Sequence, residues 1–259
     1  MLHKKMKLGL VLGAVVALGV SAAMPARAAI VNGSFEAFPD LTGFATLGNT
    51  SVQGSFYKTP VDGVQQALLS NSTSPTPGAV GATTNIGSLD AFVNLSAGTL
   101  EGQAAKSGSA IKQSFTAGAG DKISFSYDYV TNDVSNPDFA FFTLQGPGAS
   151  TTESVLATSG VTPVVATNPL FDLSNDFNFE TGYKTISFTL AAAGNYTLAF
   201  GVVNGSNTIV SSGLLVDNIV QTAGPGGGGV PLPAGAYLMT LGLVTAGLCS
   251  TKLRRTAAC

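Results

Sequence analysis

The chain has 259 residues, 45% hydrophobic and only 10% charged, with one histidine, two cysteines and no tryptophan. The histidine is His3 and the cysteines are Cys249 and Cys259, so the long middle of the chain holds neither imidazole nor thiol. That excludes Ser-His-Asp and Cys-His nucleophilic sites, Cys/His zinc centres, haem and iron–sulfur ligation there, and any disulfide framework.

The first segment, MLHKKMKLGLVLGAVVALGVSAAMPARAA, runs from a basic start (His3, Lys4, Lys5, Lys7) through an apolar stretch to the small-residue exit Ala26-Arg27-Ala28. This pattern predicts a secretory signal-peptide helix over residues 1–28, cut by signal peptidase between Ala28 and Ala29. An uncleaved anchor would want a longer apolar run. Between this segment and the tail the only cations are Lys58, Lys106, Lys112, Lys122 and Lys184, against all 14 Asp and Glu, which leaves about −9 and no arginine. Nucleic acid is excluded as a partner, because phosphate contacts are built on Lys and Arg clusters. Without disulfides, stability has to come from an apolar core, and about 200 residues suffice to bury one.

Residues 29–221 read as one all-β domain, an antiparallel β-sandwich or jelly roll. The segments AIVNGSFE, DAFVNLS, SAIKQSFTA, DKISFSYDYV, DFAFFTLQG, YKTISFTL, GNYTLAFGVV and SGLLVDNIVQ have strand character, broken by Gly, Asn, Asp, Ser and Pro. Alternation is clearest in KISFSYDY, which points Ile123, Phe125, Tyr127 and Tyr129 one way and Lys122, Ser124, Ser126 and Asp128 the other. YKTISFTL repeats it with Ile186, Phe188 and Leu190. No crossover helix of the length a parallel sheet needs is visible. Residues 70–88 and 145–180 read as long loops, the places where an exported sandwich often makes its contacts.

Residues 222–229 form a Gly-rich linker. Residues 230–255 follow as a proline-spaced motif, an uncharged run and a basic end (Lys252, Arg254, Arg255). The uncharged run 234–249 has 16 residues, about 24 Å as a helix and enough to span a thin membrane. The basic end then stays in the cytoplasm and the domain lies outside.

Val230, Pro231, Leu232, Pro233 and Ala234, with the apolar run and basic end, resemble the VPLPA variant of the PEP-CTERM sorting signals. The resemblance covers the last 30 residues or so. It implies an exosortase-type sorting enzyme as partner, an intermediate in the inner membrane of a Gram-negative bacterium, and delivery to the cell surface or extracellular matrix. A plain tail anchor is the alternative reading.

VNGSFE near the start, GNYTLAF and DNIV near the end resemble the galactose-binding-like jelly rolls of exported carbohydrate-binding modules. In that family a first-strand Glu and a last-strand Asp often share a structural calcium ion, and Glu36 and Asp217 are the matching positions. Glu36 on the open surface is the alternative.

A second acidic group, YDYVTNDVSNPDFAFF, gathers Asp128, Asn132, Asp133, Asn136 and Asp138, oxygen donors of the kind hard cations take. It lacks an EF-hand pattern, and Asp and Asn are also ordinary turn residues. For stacking on a sugar ring, Tyr57, Tyr183 and Phe44 stand in for the missing tryptophan.

A glycan hydrolase needs only two carboxyl groups. Here Asp40, Asp62, Asp90, Asp121, Asp133, Asp138, Asp172 and Asp176 read as solvated turn residues. The sequence therefore predicts an exported, surface-sorted, non-enzymatic protein of the envelope or matrix, engaged in adhesion or contact with extracellular polysaccharide. A carboxylate-based glycan hydrolase or lyase is the alternative, and two acids converging from different strands would favour it.

Overall fold

The computed structural model describes residues 28–37, 41–54, 56, 58–74, 80–133, 135–148, 150–160, 165–166 and 177–225, with only the backbone of 165 and 166. The signal-peptide segment and the sorting tail, with Val230, Pro231, Leu232, Pro233 and Ala234, lie outside them. Among the described residues no helix is long and apolar enough to cross a membrane.

Two antiparallel sheets face each other. One has the order β1 (Ala45–Leu47), β4 (Ala105–Ala117), β11 (Gly194–Gly205), β6 (Phe139–Gln145), β7 (Thr151–Thr158). The other runs β2 (Asn49–Gln53), β3 (Gln66–Ser70), β12 (Ser212–Thr222), β5 (Lys122–Thr131), β9 (Phe179–Glu180), β8 (Val165–Ala166), and β10 (Lys184–Thr189) also pairs with β5. The expected all-β sandwich is the fold observed.

The main core lies between the sheets. Ile123, Phe125, Tyr127 and Tyr129 of β5 meet Leu198, Phe200 and Val202 of β11, with Leu214 and Val216 of β12 beside them. Phe125 packs edge-on against Phe142 and Phe200, with ring centroids 5.1 and 4.8 Å apart, an arrangement aromatic quadrupoles favour. A second apolar cluster covers the back of the first sheet, where Ile86, Leu89, Val93 and Leu100 pack on Ala110, Phe141, Ala199 and Val203. β11 is thus apolar on both faces. At Gly201 it has no room for a Cβ, which would overlap the Phe141 ring.

Three expectations are corrected here. DAFVNLS is not a strand: Asp90, Ala91 and Phe92 end helix α1 (Ile86–Phe92), and the rest is a turn leading to the short helix α2 (Thr99–Gly102). Asn85 caps α1 by accepting from Ser88 N at 3.0 Å, and Ile86, Leu89 and Val93 fall on one face at helical spacing. AIVNGSFE is not a strand either, because Asn32 (φ 52°) and Phe35 (φ 59°) turn the chain. The region 145–180 contains β7, an edge strand whose half-exposed residues hide its alternation, as well as β8 and β9. β1, β2 and β3 add strands the sequence did not announce.

The segment 28–33 is held to the sheets by side chains rather than by strand pairing. Gln113 Oε1 accepts from Val31 N at 2.7 Å and its Nε2 donates to Val31 O at 3.0 Å. Thr116 N donates to Ala28 O at 2.7 Å, and Ile219 N of β12 to Gly33 O at 2.9 Å. At the same end Asp121 accepts from Gly224 N at 3.0 Å, Gln221 Nε2 at 3.2 Å and Gly118 N at 2.8 Å. Ala28 and Gly224 are therefore held at the same end of the sandwich, where Gln221 Nε2 bridges Thr116 O at 3.1 Å and Asp121.

Candidate functional site

A domain with five lysines and no arginine must stabilise most of its carboxylates by other means, and backbone amides supply them. Asp217 Oδ2 accepts from Val61 N at 2.6 Å and Asp62 N at 2.8 Å, while its Oδ1 accepts from Asn218 N at 2.7 Å. Glu36 Oε1 accepts from Val64 N and Gln65 N, both at 2.7 Å. The structure thus brings Glu36 and Asp217 to one turn, residues 61–65, which they grip from its two ends.

These two residues as placed do not fit the calcium ion the resemblance implied. Calcium takes about six to eight oxygen ligands. Glu36 Oε1 and Asp217 Oδ2 each already accept two N–H bonds, and Asp217 Oδ1 a third partner. Among the described residues no three His, Cys, Asp or Glu side chains are grouped to hold a metal. Burial pushes the Asp217 carboxyl up, against the bonds from Asp62, Asn218 and Val61.

The second acidic group is dispersed. Asp133 Oδ1 accepts from Ser135 N at 2.9 Å and Asn136 N at 2.8 Å, an ordinary Asx turn. Burial raises its pKa, but the bonds from Asn136 and Ser135 outweigh that and bring it below the usual value. Asn132 Oδ1 accepts from Asn178 N and Nδ2, both at 2.7 Å.

Asp138 is fully buried rather than solvated. It accepts from Gly205 N at 2.9 Å, Asn71 Nδ2 at 2.9 Å and Ser212 Oγ at 2.7 Å, and burial pushes it up to about 6. Asp90, Asp121 and Asp133, also expected in solvent, are buried as well, at 0%, 1% and 2% exposure. Asp90 closes the α1–α2 connection by accepting from Gly98 N at 2.8 Å and Leu100 N at 3.1 Å.

Asp128 belongs to neither group. On the outer face of the larger sheet it lies near Glu180, a residue the sequence did not single out, and burial first, then the neighbouring Glu180 carboxyl, raise it to about 7. Asp128 Oδ1 accepts from Thr181 Oγ1 at 3.1 Å, and Glu180 Oε1 pairs with Lys58 Nζ at 2.8 Å. Tyr183 donates to Gln66 Oε1, and Gln66 Nε2 donates to Gly54 O at 2.9 Å and Lys58 O at 3.0 Å. The only sequence signal for this cluster was FNFETGYK, hidden in what read as a loop.

Two acids from different strands therefore do converge. Their geometry is not a glycosidase's, whose carboxyls stand about 5–9.5 Å apart with sugar or water between. Here both are buried, Asp128 with no exposed surface, and Glu180 Oε1 is taken by Lys58. Of the aromatic candidates, Tyr57 lies outside the described residues, Tyr183 is engaged with Gln66, and Phe44 packs on Phe35 at 5.2 Å between ring centroids.

Fold and site together define a base-poor antiparallel β-sandwich whose carboxylates serve as internal backbone acceptors. No family's sequence profile and no curated relative matches the chain. Among solved structures it is similar to TmCBM61, solved in complex with beta-1,4-galactotriose (8% identity, TM-score 0.41, 76% of this chain and 99% of that one). It is also similar to the K3 cleaved adhesin domain of Lys-gingipain from Porphyromonas gingivalis (10%, 0.38, 77% and 99%). A third structure, described under "CBM4 structure and function", stands at 11% identity and TM-score 0.31 over 70% of this chain and 94% of that one.

Proposed function

We propose that this chain is an exported, surface-sorted, non-enzymatic protein whose sandwich makes adhesive or glycan contacts in the envelope or extracellular matrix. The observation that carries it is the common exit of the two chain ends. Thr116 N holds Ala28 O, and Asp121 holds Gly224 N, at one end of the sandwich. Ala28 and Gly224 are thus the described residues at that end from which the sequence continues toward the signal-like and VPLPA-like segments. At the opposite end of the sandwich the connections around Asn71, Asp138, Gly205 and Ser212 are organised from within by Asp138, and they are the contact surface proposed. Extracellular polysaccharide, signal peptidase and an exosortase-type enzyme are the partners proposed.

The convergence of Asp128 and Glu180 keeps the hydrolase alternative as a second reading. Glycan-array binding by the purified chain, with turnover of each bound glycan assayed alongside, separates the two. Binding without turnover is expected. Polysaccharide cleavage that disappears in a folded Asp128→Asn protein would install the hydrolase.

A further inference from the structure

Asp128 is 0% and Glu180 6% exposed, and Asp128 Oδ2 and Glu180 Oε2 are both buried without a hydrogen-bond donor. Two neighbouring buried carboxyls, each with an oxygen that lacks a donor, demand a cation or a proton. The elements packed here carry further titratable groups: Lys58 and Asp62 on segment 58–66, Asp217 on β12, Tyr127 on β5, Tyr183 beyond β9, and Glu36 at the far side of the turn. Lys58 is the one cation among them. Two carboxylates beside a single ammonium leave an unbalanced buried negative charge. One added proton removes that imbalance and satisfies both orphan oxygens at once.

We propose that Asp128 and Glu180 hold a single proton between them, and that this proton keeps segment 58–66 closed as a strap over the outer face of the larger sheet. The strap is tied down by Lys58 at Glu180, by Asp217 at Val61 and Asp62, and by Glu36 at Val64 and Gln65. When the proton leaves, the pair carries two charges in a buried place and draws in water, and the strap loosens.

The direction follows from the carboxyl being raised. Asp128 is held up by burial and by Glu180, to about 7, so its folded form prefers the proton. Closure is fully supported in acid and is lost as the pH rises through about 7.

Hydrogen exchange of the full chain, corrected for intrinsic rates, tests it at the four amides bound by the clamps, those of Val61, Asp62, Val64 and Gln65. Their protection should fall at least about tenfold between about pH 6 and pH 8.5. In Asp128→Asn, whose amide supplies the missing donor at every pH, protection should be high and independent of pH. Glu180→Gln provides the same donor from the other side and serves if the first variant does not fold. Unchanged wild-type protection, or the wild-type pH dependence persisting in both variants, would overturn the proposal. Restoration of wild-type protection at pH 8.5 by calcium alone would also overturn it, by showing that a metal ion rather than a proton bridges the pair.

Discussion

Asn71 and Asp138 meet in the interior at one end of the sandwich, where Asn71 Nδ2 donates to Asp138 Oδ2 at 2.9 Å. Through Asp138 the end of β3, the start of β6, the end of β11 and the start of β12 are joined, since Ser212 Oγ and Gly205 N donate to the same carboxylate. Tyr129, Thr131 and Ser159 extend the network by hydroxyl contacts, with Tyr129 OH 2.6 Å from Ser159 Oγ and Thr131 Oγ1 2.6 Å from Ser212 Oγ. Asp138→Ala leaves three donors unpaired in a dry place and should destabilise the domain by about 3–5 kcal/mol in urea unfolding. Asp138→Asn, which keeps one acceptor, should cost less. Equal unfolding midpoints for wild type and Asp138→Ala would contradict the hub.

A backbone approach fixes the first segment to the last strand. Ile219 N donates to Gly33 O at 2.9 Å, and a Cβ at Gly33 would overlap the Ile219 carbonyl oxygen. Gly33→Ala should therefore lower stability by about 2 kcal/mol or more. Gly102→Ala, where a Cβ meets nothing within 4 Å, is the control and should be neutral or slightly stabilising. Thermal melts of the two variants side by side give the answer.

The clamp on residues 61–65 makes a prediction about metal. Asp217→Ala removes the acceptor of three amides and should cost about 2–3 kcal/mol. Because those amides already neutralise the carboxylates, adding calcium or a chelator should leave the wild-type melting temperature where it is. A rise in step with calcium concentration would instead reveal binding to the folded state.

Stability should be greatest on the acid side of neutrality. Asp128 and Asp138 are raised to about 7 and about 6, and Asp217 and Glu153 are raised as well, burial coming first in each case. Each of these contributions is complete below the ordinary carboxylate range and is lost as the pH climbs through the folded value, at up to roughly 1.4 kcal/mol per pH unit per group. Asp133, which is lowered, acts the other way and loses its contribution only in stronger acid. Urea midpoints between about pH 4.5 and pH 8.5 should fall with pH, with a shallower slope in Asp128→Asn. A wild-type optimum above pH 7 would refute this account.

Processing is read by intact mass. Native protein should begin at Ala29 and end within residues 230–234, and replacing Pro231 and Pro233 by Ala should cause retention. Recovery of membrane-bound protein that still ends at Cys259 would favour a plain anchor.

The sequence by itself determined the β class, because alternation in KISFSYDY puts Ile123, Phe125, Tyr127 and Tyr129 on one face whatever the partner strands are. It also determined which chemistries the middle of the chain lacks, since no fold can supply an absent imidazole or thiol. The identity of α1 was half-legible: Asn85 and the spacing of Ile86, Leu89 and Val93 were present, but the apolar run through Phe92 and Val93 reads equally well as a strand. Only the tertiary structure decided the state of the carboxylates. Asp138 and Asp133 are five residues apart in one turn-rich stretch, yet the first is sealed among four strand ends and the second caps its own turn. Asp128 and Glu180 are 52 residues apart, and nothing local to either predicts the other. A carboxyl's charge depends on desolvation and on donors brought from elsewhere in the chain, and those are set by strand pairing across the sheet, which single-sequence patterns do not encode.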